Sequence, residues 1–247
     1  MKIKLTDDNR IIMETRPLCA KKITGTRFAS VLGLNRWTTP FEAWAVMTKL
    51  YEEPFTENKY THAGKTIEPK QIEWLRKKYP QIVSPTDKFG EKYFRKMKGD
   101  FFPLDDIYGG MWDCVFQDGG KTLALGEMKT TGKAENLTGK NVPNSYILQC
   151  SLYAELLETD RVCLTYSLLD DSAYESPEDY EPTEDNTRSL WFVPHQLVPD
   201  LKEKMEYGRE WYEEHVWYGT SPEFTEKDGK IVEEILKNYE RGDFAVW

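Results

Sequence analysis

The 247-residue chain has no apolar run approaching the roughly 18 residues that span a bilayer, and its first sixteen residues carry charges where a secretory leader would be apolar. Both absences lead us to expect no membrane association and a soluble protein of the compartment where it is made. Cysteine is scarce: Cys19, Cys114, Cys150 and Cys163 stand far apart with no Cys-x-x-Cys pair. That spacing argues against a zinc ribbon or a disulfide framework and for buried, reduced thiols. The only histidines, His62, His195 and His215, form neither a His-x-x-x-His nor a His-Glu-x-x-His pattern, which removes the common zinc-hydrolase arrangements. No internal repeat or low-complexity linker is present. Basic residues are scarce in the back of the chain: residues 151–247 hold 9 Lys+Arg against 24 Asp+Glu, a balance of −15. Residues 1–150 hold 24 against 18, or +6, which together give the net −9. A basic front suits a polyanionic partner. An acidic far face does not oppose one, because charges more than about 8 Å apart are screened at physiological salt.

What is present is enough for a real core. Apolar residues make up 39% and aromatics 13%, and the length fits one domain with an appendage. Short strands are expected at Lys2–Leu5 and Arg10–Met13. A helix follows over Thr26–Leu32, with Thr26 as N-cap and Gly33 as the stop. Thr39-Pro40-Phe41-Glu42 reads as a capping box opening a helix to about Glu53, and Ile67–Tyr79 reads as a third. The period then changes: Tyr93–Lys96 and Tyr108–Phe116 read as strands, and Gln117-Asp118-Gly119-Gly120 as a hairpin turn into Lys121–Thr130. A helix at Ser145–Glu158, strands at Arg161–Leu169 and Ser189–Val193, and a helix at Pro199–Tyr218 complete the order. The fold class is α/β, a small mixed central sheet flanked by helices. Residues 170–187 carry acidic side chains and no basic one before Arg188, and read as a solvated insertion loop.

The hairpin carries the chemistry. Glu127 and Lys129, two apart on one strand, share a face. Residues paired across a hairpin have numbers adding to a constant, about 238–240 for a short loop centred on Gly119 and Gly120. Asp113 therefore lies opposite residues 125–127, close enough to share a cation with Glu127. Two carboxylates, the backbone carbonyl of Met128 and a neighbouring ammonium make a hard, oxygen-rich site, which suits Mg²⁺, with Mn²⁺ as its substitute, better than zinc. Taken alone, Asp-x(13)-Glu-x-Lys is a weak signal.

The flanking segments add to it. Ile23-Thr24-Gly25-Thr26-Arg27, Val31-Leu32-Gly33-Leu34-Asn35, Trp37 and Thr39-Pro40-Phe41-Glu42-Ala43-Trp44 are followed by Gly64-Lys65-Thr66-Ile67-Glu68-Pro69. Then come Asp113, Gly126-Glu127-Met128-Lys129-Thr130, Gln149 with Tyr153, and Trp211-Tyr212-Glu213-Glu214-His215-Val216 running to Gly219 and Pro222. In this order, over residues 16–222, the sequence resembles the YqaJ/lambda-exonuclease-type viral recombination nucleases of the PD-(D/E)XK superfamily.

The resemblance implies a restriction-endonuclease-like core over residues 1–222 with a C-terminal extension at 223–247. It implies a Mg²⁺-dependent exonuclease that degrades double-stranded DNA ends 5′ to 3′ and leaves single strands for phage-type recombination. Asp113 and Glu127 would be metal ligands with the Met128 carbonyl, Lys129 the catalytic lysine, and Glu68 an added carboxylate. Glu68 also fits a helix-dipole partner in a first turn. Thr26 would meet the terminal 5′-phosphate at a helix start, with Arg27, Lys21 and Lys22 adding charge, although it also fits a plain N-cap. Gln149 and Tyr153, one turn apart, would meet the DNA strand or brace the site, and Tyr153 also fits simple core. The partners implied are a second copy of the chain in a trimeric ring and a single-strand annealing protein, in the cytoplasm of a bacterial host. In such a ring the acidic face would point away from the channel. Trp112 and Met111 stand where the family has proline and a small hydroxyl residue, which weakens the case for a phosphate contact from that strand and for a strict 5′-phosphate preference. Cys150 and Cys163 do not supply the late cysteine cluster of the iron–sulfur nucleases, so no iron–sulfur cluster is expected. An endonuclease of restriction or repair type on the same core, or an inert DNA- or protein-binding module, are the competing readings. The apolar end, Phe244-Ala245-Val246-Trp247, is expected to dock on a protein surface.

Overall fold

Gly119 and Gly120, both with positive φ, close the hairpin on which the central sheet is built. The structure is a computed structural model that describes residues 2–15, 17, 19–54 and 57–241; Phe244 to Trp247 lie outside the described residues. Its contacts fall into two units. One comprises residues 1–54, 103–109 and 202–247, and the other residues 55–102 and 110–201.

The first unit combines two small ladders with helices. Ile3–Leu5 pairs antiparallel with Ile11–Met13, and Ile23–Thr24 pairs parallel with Tyr108–Gly109. Helices run over Gly25–Val31, Pro40–Met47, Leu201–Trp211 and Gly229–Arg241, and Tyr212–Trp217 continues the third of these as a π-helical turn. Buried polar groups are matched rather than stranded: the Trp44 indole donates to the His215 carbonyl at 2.8 Å, and the Tyr108 hydroxyl to the Met205 carbonyl. Two expectations are corrected here. The cap of the Gly25–Val31 helix is Thr24, not Thr26, because the extended backbone of the preceding strand ends there. The helix opened by Pro40 stops at Met47 rather than Glu53. The Thr48 hydroxyl turns back onto the Trp44 and Ala45 carbonyls, and Lys49 takes a left-handed φ of 60°, which ends the helical ladder.

The second unit holds the sheet. A long helix (α1, Lys59–Lys78) opens at a capping box in which the Asn58 side chain accepts from the Tyr60 and Thr61 amides. It begins eight residues before the expected start, and Pro69, read as a first-turn proline, lies in its interior. An interior proline costs about 3 kcal/mol. The helix persists because its buried face runs on both sides of the proline, through Ala63, Ile67, Gln71, Ile72, Trp74 and Leu75. The strands are β1 (Ile82–Val83), β2 (Cys114–Asp118), β3 (Lys121–Thr131), β4 (Val162–Leu168) and β5 (Thr187–Phe192), adjacent in that order. Only β3 and β4 are parallel, so the helix between them (α2, Asn144–Leu156) is the crossover that parallel pairing demands. The result is the expected mixed sheet flanked by helices.

Each face of the sheet has its own cover. Ile72, Trp74 and Leu75 of α1 pack on Cys114, Phe116, Ala124, Met128 and Cys163. On the opposite face Cys150, Tyr153 and Ala154 of α2 pack on Val115, Leu125, Val162, Leu164 and Tyr166. The hairpin register holds: Cys114 faces Gly126 and Asp118 faces Lys121, sums of 240 and 239, with a bulge at Phe116/Gln117 accounting for the change.

Three further expectations are corrected in this unit or at its border. Tyr93–Met97 is a short helix, not a strand, since no neighbouring strand offers it a ladder. The run Tyr108–Phe116 is not continuous: Tyr108–Gly109 belongs to the first unit, and the chain turns at Gly110 (φ 123°) before β2. A Cβ at Gly110 would lie 2.4 Å from the Tyr153 hydroxyl, so that turn accepts only glycine. The acidic segment is not a free solvated loop. It forms short helices at Asp171–Glu175 and Pro177–Asp179 and docks on α1. Lys59 bridges Glu175 at 3.3 Å, Lys70 bridges Glu181 at 3.6 Å and Lys78 bridges Glu184 at 2.6 Å. His62 bonds Glu178 at 3.1 Å. The charge split of the sequence is thus partly closed within the chain. No helix among the described residues is long and apolar enough to cross a membrane.

A Cβ at Gly126 would lie 2.3 Å from the Cys114 sulfur. Gly126→Ala is therefore expected to destabilise the protein by about 1–3 kcal/mol, read as a fall in Tm by calorimetry; an unchanged Tm would mean that the β2–β3 pair yields without cost.

Candidate active site

Alternation along β3 places Leu125, Glu127 and Lys129 on the α2 side of the sheet and Ala124 and Met128 on the α1 side. Asp113 sits just before β2, where the register sets it opposite Glu127. Its Oδ2 accepts the Met128 amide at 2.7 Å, so the peptide between Glu127 and Lys129 itself holds the aspartate in place. The Lys129 ammonium donates to Glu127 Oε1 at 2.6 Å. Gln149, from α2, donates its amide to the same oxygen. Glu127 Oε2 is buried and has no hydrogen-bond partner. The expected trio of Asp113, Glu127 and Lys129 is thus brought together.

Glu68 completes the charge pattern. It lies mid-helix on α1, half-buried, which removes the first-turn dipole role. Burial, then the charge of Glu127, push its carboxyl above the ordinary range, against the pull of Lys129. Asp113 is driven further in the same direction by burial, then by Glu127 and Glu68, with Lys129 and the Met128 amide opposing. For Lys129, burial alone would lower the pKa, but the Glu127 and Asp113 charges and the Glu127 hydrogen bond outweigh it and raise it above the ordinary lysine value. Three carboxylates therefore share one ammonium.

That imbalance is the test of whether a cation fits. Among the described residues no three His, Cys, Asp or Glu side chains are drawn close enough to cage an ion by themselves. An orphaned carboxylate oxygen and two carboxyls raised by burial and then by neighbouring carboxylate charge nevertheless match a hard divalent ion whose remaining ligands are backbone carbonyl, water or phosphate. Asp113 and Glu127, the Met128 carbonyl and Glu68 are the donors at hand.

Other expected residues fall as follows. Gln149 is buried on Glu127, a bracing position. Tyr153 is buried under the Gly110 turn and stacks on Phe102 with centroids 5.9 Å apart. Thr26 and Arg27 belong to the first unit: the exposed Thr26 hydroxyl is 2.9 Å from that of Thr24, and Arg27 donates to the Lys22 carbonyl at 3.3 Å. Cys114, Cys150 and Cys163 are buried thiols and Cys19 is exposed.

Two residues escaped the sequence reading. Gln71, one turn beyond Glu68 on α1, donates to the Lys129 carbonyl at 2.9 Å and so ties the helix bearing Glu68 to the strand bearing Lys129. Tyr146, one turn before Gln149, lies with its ring centroid 5.0 Å from the Lys129 ammonium, a cation–π distance. The spacing to Glu68 and to Gln149 was the available signal, but an uncharged amide and a tyrosine carry no pattern that singles them out.

The direction of the Asp113 shift sets a sign. An acid whose folded pKa exceeds its unfolded 3.8 costs stability increasingly as pH rises from that value toward the folded pKa. Asp113→Asn, which still accepts from Met128, is expected to be more stable than the wild type in EDTA at neutral pH, with the advantage vanishing below pH 4. Denaturant unfolding at several pH values reads this; a variant less stable than the wild type at pH 7 would contradict the cost of burying the Asp113 charge beside Glu127 and Glu68.

The curated relatives include the uncharacterized protein MG373 of Mycoplasma genitalium, 27% identical over 90% of this chain and 92% of its own length. Its Mycoplasma pneumoniae homolog is 25% identical over 87% of each. Among solved structures, an alkaline exonuclease from Laribacter hongkongensis, LHK-Exo, superposes with a TM-score of 0.56 over 86% of this chain and 94% of its own, at 14% identity. A phage-related exonuclease from Haemophilus somnus 129PT gives 0.53 over 79% and 95%, at 12% identity. At such identities the likeness is one of fold, the restriction-endonuclease-like fold of these exonucleases. Residues 16–161, which include Glu68, Asp113, Glu127, Lys129, Gln149 and Tyr153, match the YqaJ-like viral recombinase domain, and the chain belongs to that family.

Proposed function

We propose that the protein is a Mg²⁺-dependent deoxyribonuclease that degrades double-stranded DNA from its ends, 5′ to 3′, leaving single strands for recombination. The observation that carries this reading is the buried, unpartnered oxygen of Glu127, with Lys129 bonded to the same carboxylate and the Asp113 and Glu68 carboxyls near enough to feel its charge. Family membership and the fold shared with two exonucleases support the same class of chemistry.

Each side chain then has a task. Asp113, held by the Met128 amide, and Glu127, held by Gln149 and Lys129, present oxygens to the metal, with Glu68 and the Met128 carbonyl alongside. When bound, the metal supplies Lewis acidity toward a phosphoryl oxygen and acidifies a water. Lys129 remains protonated, since its carboxylate neighbours hold its pKa above the ordinary value. Its role is therefore to orient the attacking water and to stabilise charge growing on the phosphoryl oxygens, not to act as a base. In hydrolysis the water oxygen would bond to phosphorus as the phosphorus–oxygen bond to the leaving strand breaks, the water giving up a proton to solvent and the departing oxygen taking one up.

Thr26 and Arg27 are assigned to the terminal phosphate. Residues 1–222 are assigned to the nuclease domain, and residues 223–247 to an extension from it. The working form is assigned as a homo-oligomeric ring, a trimer, that hands its product to an annealing protein in the cytoplasm of a bacterial host. These finer assignments rest on the family resemblance.

The test is incubation with 5′-labelled linear duplex and with closed circular duplex, in Mg²⁺ or EDTA. Metal-dependent loss of the linear DNA alone is expected, with Lys129→Ala slower by about 10²-fold or more and still folded by circular dichroism. Cutting of the circle would replace the exonuclease with an endonuclease, and DNA binding without cleavage under any divalent metal would leave a binding module.

A further inference from the structure

Outside the carboxylate site, the second unit carries a groove of about 530 Å³ at the β5 edge of the sheet, lined by Tyr79, Gln81, Arg161, Trp191, Phe192 and Gln196. Its size falls in the range of about 300–1,000 Å³ usual for small-ligand sites. Across the ladders Trp191 faces Cys163, and Cys163 faces Gly126. Cross-strand partners share a face, so Trp191 projects from the side of the sheet opposite Glu127. The groove is separate from the catalytic carboxylates.

Its lining has the parts of a nucleotide site. Trp191 leaves 43% of its surface exposed although it is held by Phe116 at 5.0 Å and Tyr79 at 5.7 Å. A large aromatic plane that is both fixed and open offers a stacking platform at little cost in side-chain entropy. Arg161 is exposed and has no ion-pair partner among the described residues, in a stretch, residues 151–247, with 24 acidic side chains. Carboxylates elsewhere in this unit have taken up Lys59, Lys65, Lys70 and Lys78 of α1, and this guanidinium has been left open. Gln81 and Gln196, both exposed, each bring a donor and an acceptor, the pairing that reads a base edge. A stacking surface, a guanidinium and two amides together match a base with its phosphate.

We propose that this groove is a second, non-catalytic site for single-stranded DNA, taking one unstacked base on Trp191 and its phosphate on Arg161. A duplex keeps its base faces covered, so the platform selects the strand that end digestion would leave unpaired. The proposal rests on the reading that the protein acts on DNA, and its assay is run without cleavage so that the two can fail separately.

The experiment is fluorescence anisotropy of a labelled oligo(dT) of about 12 nucleotides titrated with the full-length protein in EDTA. Wild type is expected to bind. Trp191→Ala should weaken binding about 10-fold or more, the scale of one lost base stack, and Trp191→Phe should recover most of it. Arg161→Glu should weaken binding and flatten its salt dependence. Cleavage of short linear duplex by Trp191→Ala should match wild type. Oligonucleotide affinity unchanged in both Trp191→Ala and Arg161→Glu would overturn the site, as would a wild type that does not bind the oligonucleotide; a groove built for a protein partner would give the first of these results.

Discussion

The burial of three carboxyl groups around one ammonium is the constraint on which the second unit's candidate site depends. Asp113, Glu127 and Glu68 come from three different elements and would separate if free to do so. Glu127 is paired with Lys129 and braced by a glutamine amide, while Asp113 is held by a backbone amide and Glu68 by the buried face of α1, so one ammonium serves three carboxyl groups. Structural groups of like sign are usually dispersed or protonated. Maintaining three together against burial is the electrostatic signature of a site completed by something positive.

The rest of the unit reads as support for that arrangement. The crossover α2 exists because β3 and β4 are parallel, and it delivers Gln149 and Tyr146 to the face on which Glu127 and Lys129 point. Helix α1 carries Glu68 and is fastened at two levels. Gln71 pins it to the Lys129 carbonyl, and the acidic segment straps its exposed side through Lys59, Lys70 and Lys78. Exposed ion pairs are each worth about 0–1 kcal/mol, so the strap's effect lies in registering α1 rather than in bulk stability. It also changes the meaning of the charge split in the sequence. Part of the positive excess of the first 150 residues neutralises the chain's own acidic segment and is not available to a polyanion.

The hairpin was legible because period-two alternation and a Gly-Gly turn fix a register by arithmetic, and from the register the opposition of Asp113 and Glu127 follows. The mixed sheet, α2 and the trio of site residues were readable for the same local reasons. What was misread depends on tertiary contact. The helix read from Ile67 puts Pro69 within its first turn; the burial of Ala63 and Ile67 goes with a helix that begins at Lys59. Tyr93–Met97 had the composition of a strand but no partner strand. The acidic segment looked solvated because composition does not register three lysines spaced along a helix face. Gln71 and Tyr146 were invisible because their roles lie in where they point.

The central claim is that the carboxylate cluster is a divalent-cation site. Titrating the metal-free protein with Mn²⁺, and counting free ions by electron paramagnetic resonance, tests it most directly. Binding by the wild type that is lost in Glu127→Gln, while the variant keeps the wild-type fold, is the result the account predicts. Equal Mn²⁺ binding by the two proteins, or none by either, would contradict it.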